Sequence, residues 1–115
     1  MIEEIMLNYL NEVLTAPVYM ERPENPPSEY VIIQKLGSSK QNQICSAMMA
    51  FQSYAPTLYG AATLNEWVKG AVETSVVLPE ISSAKLNSDY NFTNTASKQY
   101  RYQAVFNITH YQEAN

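Results

Sequence analysis

Ile2, Ile5, Met6, Tyr9, Leu10 and Val13 recur at helical spacing, with Glu3, Glu4, Asn8, Asn11 and Glu12 filling the opposite face. That is the stripe of an amphipathic helix. The early carboxylates suit its N-terminus, and Pro17 ends it, so the pattern predicts a helix over 2–15. Val18 to Met20 then reads as a short edge strand. Arg22 to Ser28 reads as an extended loop, because Pro23, Pro26 and Pro27 fix φ and supply no amide hydrogen. A stiff connector explains this segment better than a ligand for a recognition domain. "EYVIIQKLG" is β-branched and aromatic and predicts a strand, with "GSSKQNQ" as its turn. "ICSAMMAFQSYA" is rich in Ala and Met, which favour helix. However, Ala47, Met49 and Phe51 alternate with Met48, Ala50 and Gln52, and sequential strands usually pair, so it is assigned as a strand. Pro56 suits the first turn of a second helix. Leu58, Ala61, Ala62, Leu64, Val68, Ala71 and Val72 form that helix's broad apolar face. Gly60 and Gly70 each weaken it by about 1 kcal/mol relative to alanine. Pro79 closes a short connection to a last hairpin, which begins in "ISSAKLNSDYNF" and finishes in Tyr100 to Tyr111. There Tyr100, Tyr102, Ala104, Phe106 and Ile108 share one parity, and Arg101, Gln103, Asn107 and Thr109 the other. The order helix-strand-strand-strand-helix-strand-strand predicts an α+β domain. It is a mostly antiparallel sheet of about five strands with two helices packed on one face.

Length and composition narrow the class. A chain of 115 residues is one domain with one modest core. A hydrophobic fraction of 46% and a charged fraction of 16% describe a folded domain whose surface is polar through Asn, Gln, Ser and Thr. Such a surface loses little desolvation energy when buried against another subunit. The net charge of −4 argues against tight nucleic-acid binding, which needs a clustered basic patch. Cys45 is the single cysteine and excludes an internal disulfide. Glu3 and Glu4 follow Met1 where a secretory leader would carry basic and then apolar residues. No run has the length of a membrane span. The expected location is the cytosol, or wherever cytosolic assemblies are released.

No catalytic constellation emerges from the residue types. His110, the single histidine, falls on the apolar parity near the chain end and reads as a strand-end side chain rather than a general base. Cys45 has no histidine or cysteine near it in sequence and reads as a small, partly buried side chain. Glu21, Glu24 and Glu29 are separated by a proline-rich loop and do not fit a calcium loop. Gly37 to Lys40 has the wrong order for a phosphate loop, and three glycines in the whole chain cannot build a glycine-rich cradle. Asn91-Phe92-Thr93 and Asn107-Ile108-Thr109 match the glycosylation sequon and, with no secretory leader expected, read as chance matches. Among the nine tyrosines, Tyr9, Tyr30, Tyr54, Tyr100 and Tyr102 fit equally well as core-edge residues and as interface anchors. A stacking platform for single-stranded nucleic acid is disfavoured by the acidic balance. No catalytic residue, metal or cofactor is therefore assigned, and the residues describe a binding or assembly module.

"PVYMERPENPPSEYVIIQKLGSS", "QSYAPTLYGAATLNEWVK" and above all "SDYNFTNTASKQYRYQAVF" carry a resemblance that spans about Pro17 to Tyr111. The chain resembles the tail terminator, or tail completion, proteins of long-tailed phages and prophages of Gram-positive bacteria. None of these segments contains chemistry. The resemblance implies a curved antiparallel sheet flanked by helices, assembled as a homohexameric ring in the virion. That ring is expected to dock on the last ring of the major tail tube protein, stop its polymerisation and present a surface to the head-completion or connector protein. Double-stranded DNA would pass the lumen without specific binding, which suits an acidic chain without a basic patch. The protein would be made in the host cytoplasm and end in the tail-neck region of the virion, with no membrane partner.

Two polar segments are the candidate axial contacts of such a ring. One is a loop from Ser38 to Gln43, with Ser38, Ser39, Lys40, Gln41 and Asn42. The other is a loop from Asp89 to Lys98, with Asp89, Tyr90, Asn91, Phe92, Thr93, Asn94 and Lys98, joined by the adjacent Arg101. Both are expected to be long enough to reorder on docking. Two other readings compete. A head-closure or head-tail joining component would share the small acidic ring-forming character. A host-encoded regulatory or ligand-binding domain would instead show a closed apolar pocket with convergent polar groups.

Overall fold

A computed structural model describes residues 1–111. Helix α1 (Ile2–Val13) is followed by strand β1 (Val18–Tyr19), and then by β2 (Tyr30–Gln41) and β3 (Ile44–Ala55). Helix α2 (Leu58–Glu73) runs into a 3₁₀ turn at Thr74–Val77, and β4 (Ile81–Asn91) and β5 (Tyr100–Tyr111) complete the described residues. The five strands form one sheet in the order β1-β2-β3-β5-β4. All pairings are antiparallel except β1 with β2. This is the predicted α+β domain, made mixed by its first strand.

Both helices lie on one face of the sheet. Ile2, Met6 and Leu10 of α1 and Leu64, Val68 and Val72 of α2 pack on Val31, Ile33, Met49, Phe51, Ala104, Phe106 and Ile108. The strand residues are the alternate positions of β2, β3 and β5, so one parity of three strands supplies the dry face. Phe51 and Phe106 meet edge to face across adjacent strands, with ring centroids 5.8 Å apart. Tyr9 adds a polar tie within the core, its hydroxyl donating to the Ala71 carbonyl at 2.9 Å.

Several boundaries differ from the sequence expectation for physical reasons. Helix α1 stops at Val13, because Leu14 is already extended (φ −99°, ψ 147°). The Asn11 side chain explains the early exit. It accepts from the Val18 amide at 3.0 Å and donates to the Val18 carbonyl at 3.1 Å, acting as a strand partner that folds the chain straight back. Pro56 stands outside α2 rather than in its first turn. Thr57 is the N-cap, its hydroxyl accepting from the Gly60 amide at 3.0 Å, and a hydroxyl cap serves the orphan amides of the first turn.

Candidate assembly surfaces

The first predicted loop is not a loop. Ser38, Ser39, Lys40 and Gln41 belong to β2 and pair with Ala47, Ser46, Cys45 and Ile44. Only Asn42 and Gln43 turn the chain, both left-handed with φ of 53° and 67°. A two-residue turn of this kind matches the twist of the flanking strands, which is why polar residues that look turn-like in composition are drawn into the ladder. The segment is thus the end of an edge strand, exposed on both faces along β2 from Gln34 to Gln41, with β3 beside it backed by β5. Asn tolerates the left-handed region, but Gln43 is strained there. Gln43→Gly is expected to stabilise the protein by about 0.5–1 kcal/mol, with the strain relieved exceeding the entropy glycine adds to the unfolded chain. A urea midpoint unchanged or lowered by this substitution would contradict the strained turn.

The second predicted loop is also shorter than expected. Asp89, Tyr90 and Asn91 lie in β4 and pair with Ala104, Gln103 and Tyr102. Beyond them Phe92 donates its amide to the Arg101 carbonyl, and Asn94 exchanges two backbone bonds with Gln99. Only 95–98 form the turn, with Lys98 at φ 53°. Side chains tie this tip to itself. The Asn94 carboxamide accepts from the amides of Ala96 and Ser97, and Thr93 bonds both backbone groups of Arg101. These bonds preform the tip.

The candidate residues separate by face. Asp89 points to the helix side, where it accepts from Asn65 Nδ2 at 2.9 Å and from Lys69 Nζ at 2.7 Å. Tyr90, Phe92 and Arg101 lie on the outer face and join a ladder that crosses the sheet. Arg101 Nη1 donates to the Tyr54 hydroxyl at 2.9 Å, and Tyr54 donates to Gln52 Oε1 at 3.2 Å. Gln52 Nε2 donates to Gln103 Oε1 at 2.7 Å, and Gln103 Nε2 donates to the Tyr90 hydroxyl. The Arg101 guanidinium stacks 4.3 Å from the Phe92 ring centroid, and Tyr30 stacks on Tyr54 at 4.6 Å. Gln103 sits on the parity expected to be wet, yet it is buried, because this network meets its hydrogen-bonding needs. The tyrosines therefore divide. Tyr9 is core, Tyr30 and Tyr54 are buried on the outer face, and Tyr100 and Tyr102 are half-buried.

Two features were not singled out from the sequence. The register sets Cys45 opposite His110 across β3 and β5, a neighbourhood hidden by their separation in the chain. Cys45 is half-buried, and His110 Nδ1 lies 3.3 Å from the Tyr111 carbonyl. The larger omission is on α2. Tyr59 and Trp67 are 84% and 69% exposed and flank an open groove of about 480 Å³ with Val13, Leu14, Glu29 and Leu64. The signal was present, because Tyr59 and Trp67 fall off the Leu64–Val68–Val72 stripe and must face outward.

The two tips lie at opposite ends of the sheet, since the β2–β3 turn adjoins Tyr111 while the β4–β5 turn lies beyond Tyr102. The protein is correspondingly long, 45 × 24 × 23 Å. Both sheet edges are open among the described residues. Strand β1 covers only Val31 and Ile32 of β2, and β4 pairs on one side only. Both edges carry bulges, at Lys35/Gly37 in β2 and at Ile81/Ser83 and Leu86/Ser88 in β4. Bulges and lysines blunt an edge against indiscriminate pairing. Among the described residues no group of three or more His, Cys, Asp or Glu side chains is placed to hold a metal ion, and no helix is long and apolar enough to cross a membrane. Compared with known proteins, the chain matches no family model and no curated sequence.

Proposed function

We propose that the protein is a structural component of a phage or prophage tail that forms a ring, in the resemblance's terms a hexamer, on the end of the tail tube. There it stops tube polymerisation and offers a surface to the head connector. The observation that carries this reading is the polarity of the subunit. One end carries the two-residue turn at Asn42 and Gln43 and the other the longer β4–β5 tip, and its two open edges, β2 and β4, differ from one another. Unlike surfaces on one subunit support heterologous contacts, which close into a ring when the rotation between copies allows. In such a ring one surface meets the tube and another the connector. Catalysis plays no part in this role.

Electron microscopy of tails assembled with and without the protein tests the proposal. Without it, tubes should grow to irregular, excessive lengths and fail to join heads. Tubes of normal, uniform length would refute the capping role. Normal tails combined with heads that fail to retain DNA would instead favour a head-closure component.

A further inference from the structure

Three of the seven basic residues of this acidic chain gather at the end of the sheet where β3 finishes and β5 begins. Arg22 and Lys98 line an open cleft there of about 640 Å³. Arg22 and Ser28 come from the loop between β1 and β2, and Ser97 and Lys98 from the β4–β5 turn, so segments remote in sequence meet at it. The sheet contributes Tyr54, near the end of β3, and Tyr100, at the start of β5. Arg101 is joined to the cleft through Tyr54, its Nη1 donating to the tyrosine hydroxyl at 2.9 Å. Neither arginine nor Lys98 enters an ion pair among the described residues, whereas Lys35 and Lys69 are both matched by carboxylates. No carboxylate among the described residues lines the cleft. Glu29, although it follows Ser28, lines the α1–α2 groove instead.

We infer that this cleft binds an acidic segment of a partner protein, an extended stretch bearing one or two carboxylates. A guanidinium and an ammonium on separate segments, with serine and tyrosine hydroxyls beside them, supply the donors and the charge that a carboxylate accepts. Cations that line one cleft without an anion repel one another, and an incoming carboxylate relieves that repulsion. Arg101 is half-buried and lacks an anionic partner among the described residues, so it adds to the positive potential. The tip that carries Ser97 and Lys98 is held by Asn94 and Thr93, which lowers the ordering cost of the contact. Nucleic acid fits the site less well. Its phosphates would continue past the cleft, over the exposed Glu21, Glu24 and Glu29, which repel them. A short acidic segment ends its charge inside the cleft. The inference stands on these residues and holds whether or not the protein caps a tail.

Titration of the full chain with a short synthetic peptide carrying two adjacent glutamates, followed through amide chemical shifts, tests the inference. At low salt the shifts should concentrate at Arg22, Ser28, Tyr54, Ser97, Lys98 and Tyr100, and the glutamine counterpart of the peptide should produce none. Arg22→Ala and Lys98→Asn should each raise the dissociation constant about threefold to fivefold, the range of exposed charge pairs. Asn is chosen at 98 because it tolerates the left-handed backbone there. Both side chains are exposed, so the urea midpoints should stay at the wild-type value, which separates lost binding from lost folding. Added salt should weaken binding by screening. The inference is overturned by a peptide that causes no shifts at its highest soluble concentration, by shifts that map elsewhere, or by an affinity that neither substitution changes. Inorganic phosphate that binds the same amides as tightly as the peptide would reduce the cleft to a site for small anions and overturn the assignment to a protein segment. A short single-stranded oligonucleotide that binds more tightly than the peptide at the same salt would overturn it too. Tail microscopy stays a separate test, because uniform tails without the protein remove the capping role and leave the titration untouched.

Discussion

Replacing Phe106 with alanine is expected to remove about 4 kcal/mol of folding stability, the cost typical of deleting a fully buried aromatic ring. Phe106 has no exposed surface and lies at the centre of β5. Its ring meets Phe51 edge to face at 5.8 Å, a geometry that adds to simple burial. Its strand neighbours are Met49 and Leu86, and helix residues close the layer above. The sheet holds the backbone on both sides of β5, so the walls of the cavity cannot move in to fill it. A domain of this size has on the order of 5–15 kcal/mol in total, so the variant should be marginal but still folded in mild conditions. Urea denaturation should show a much lower midpoint with an unchanged slope. The same substitution at Tyr111, which is 52% exposed, should change stability by no more than about 0.5 kcal/mol. A Phe106→Ala loss below about 1.5 kcal/mol would mean that the two layers can collapse onto one another.

That core was legible in the sequence because burial on one side of a strand leaves a period of two. Ala104, Phe106 and Ile108 announced the dry face of β5, and Ala47, Met49 and Phe51 that of β3, despite the helix-favouring alanines and methionines. Parity could not show the second buried layer. Val105 and Gln103 lie on the outer face and are buried by partners from other strands. Gln103 is satisfied by Gln52 and Tyr90, which are 51 and 13 residues away in the chain. Both candidate loops were overestimated for a single reason. Polar residues with turn-like composition, such as Ser38 to Gln41 and Asp89 to Asn91, are equally at home in an exposed strand when a partner strand completes their hydrogen bonds. Turn length depends on that pairing, not on polarity. Asn42 was a fair signal for a left-handed residue, and Gln43 was not. The outward placement of Trp67 was readable from the helical wheel, but the groove beside it was not, because Val13, Leu14 and Glu29 come to it from distant parts of the chain.

Asp89 shows how far such a misplacement changes a residue's meaning, and Asp89→Ala is expected to cost about 2–3 kcal/mol. Read as a loop tip, Asp89 would be neutral to folding. In the structure its carboxylate joins β4 to α2 through Asn65 and Lys69. Asn65 is 1% exposed, and its Oδ1 already lacks a partner. Removing Asp89 would leave the buried amide donor unpaired as well. Lys69 would keep only Glu66, whose side chain is 70% exposed and contributes little. A pH series identifies the charged part of this loss. The pKa of Lys69 is raised above 10.5, first by the hydrogen bond to Asp89 and then by that to Glu66. A raised folded pKa favours the fold while the lysine is protonated. The contribution is therefore complete below pH 10.5 and fades as the pH rises through the raised value. The stability gap between wild type and Asp89→Ala should be constant at neutral pH and narrow in strong alkali, leaving the share due to Asn65. A gap that stays constant throughout the alkaline range would show that Lys69 takes no part, and a gap near zero at pH 7 would place Asp89 outside the helix-sheet contact altogether.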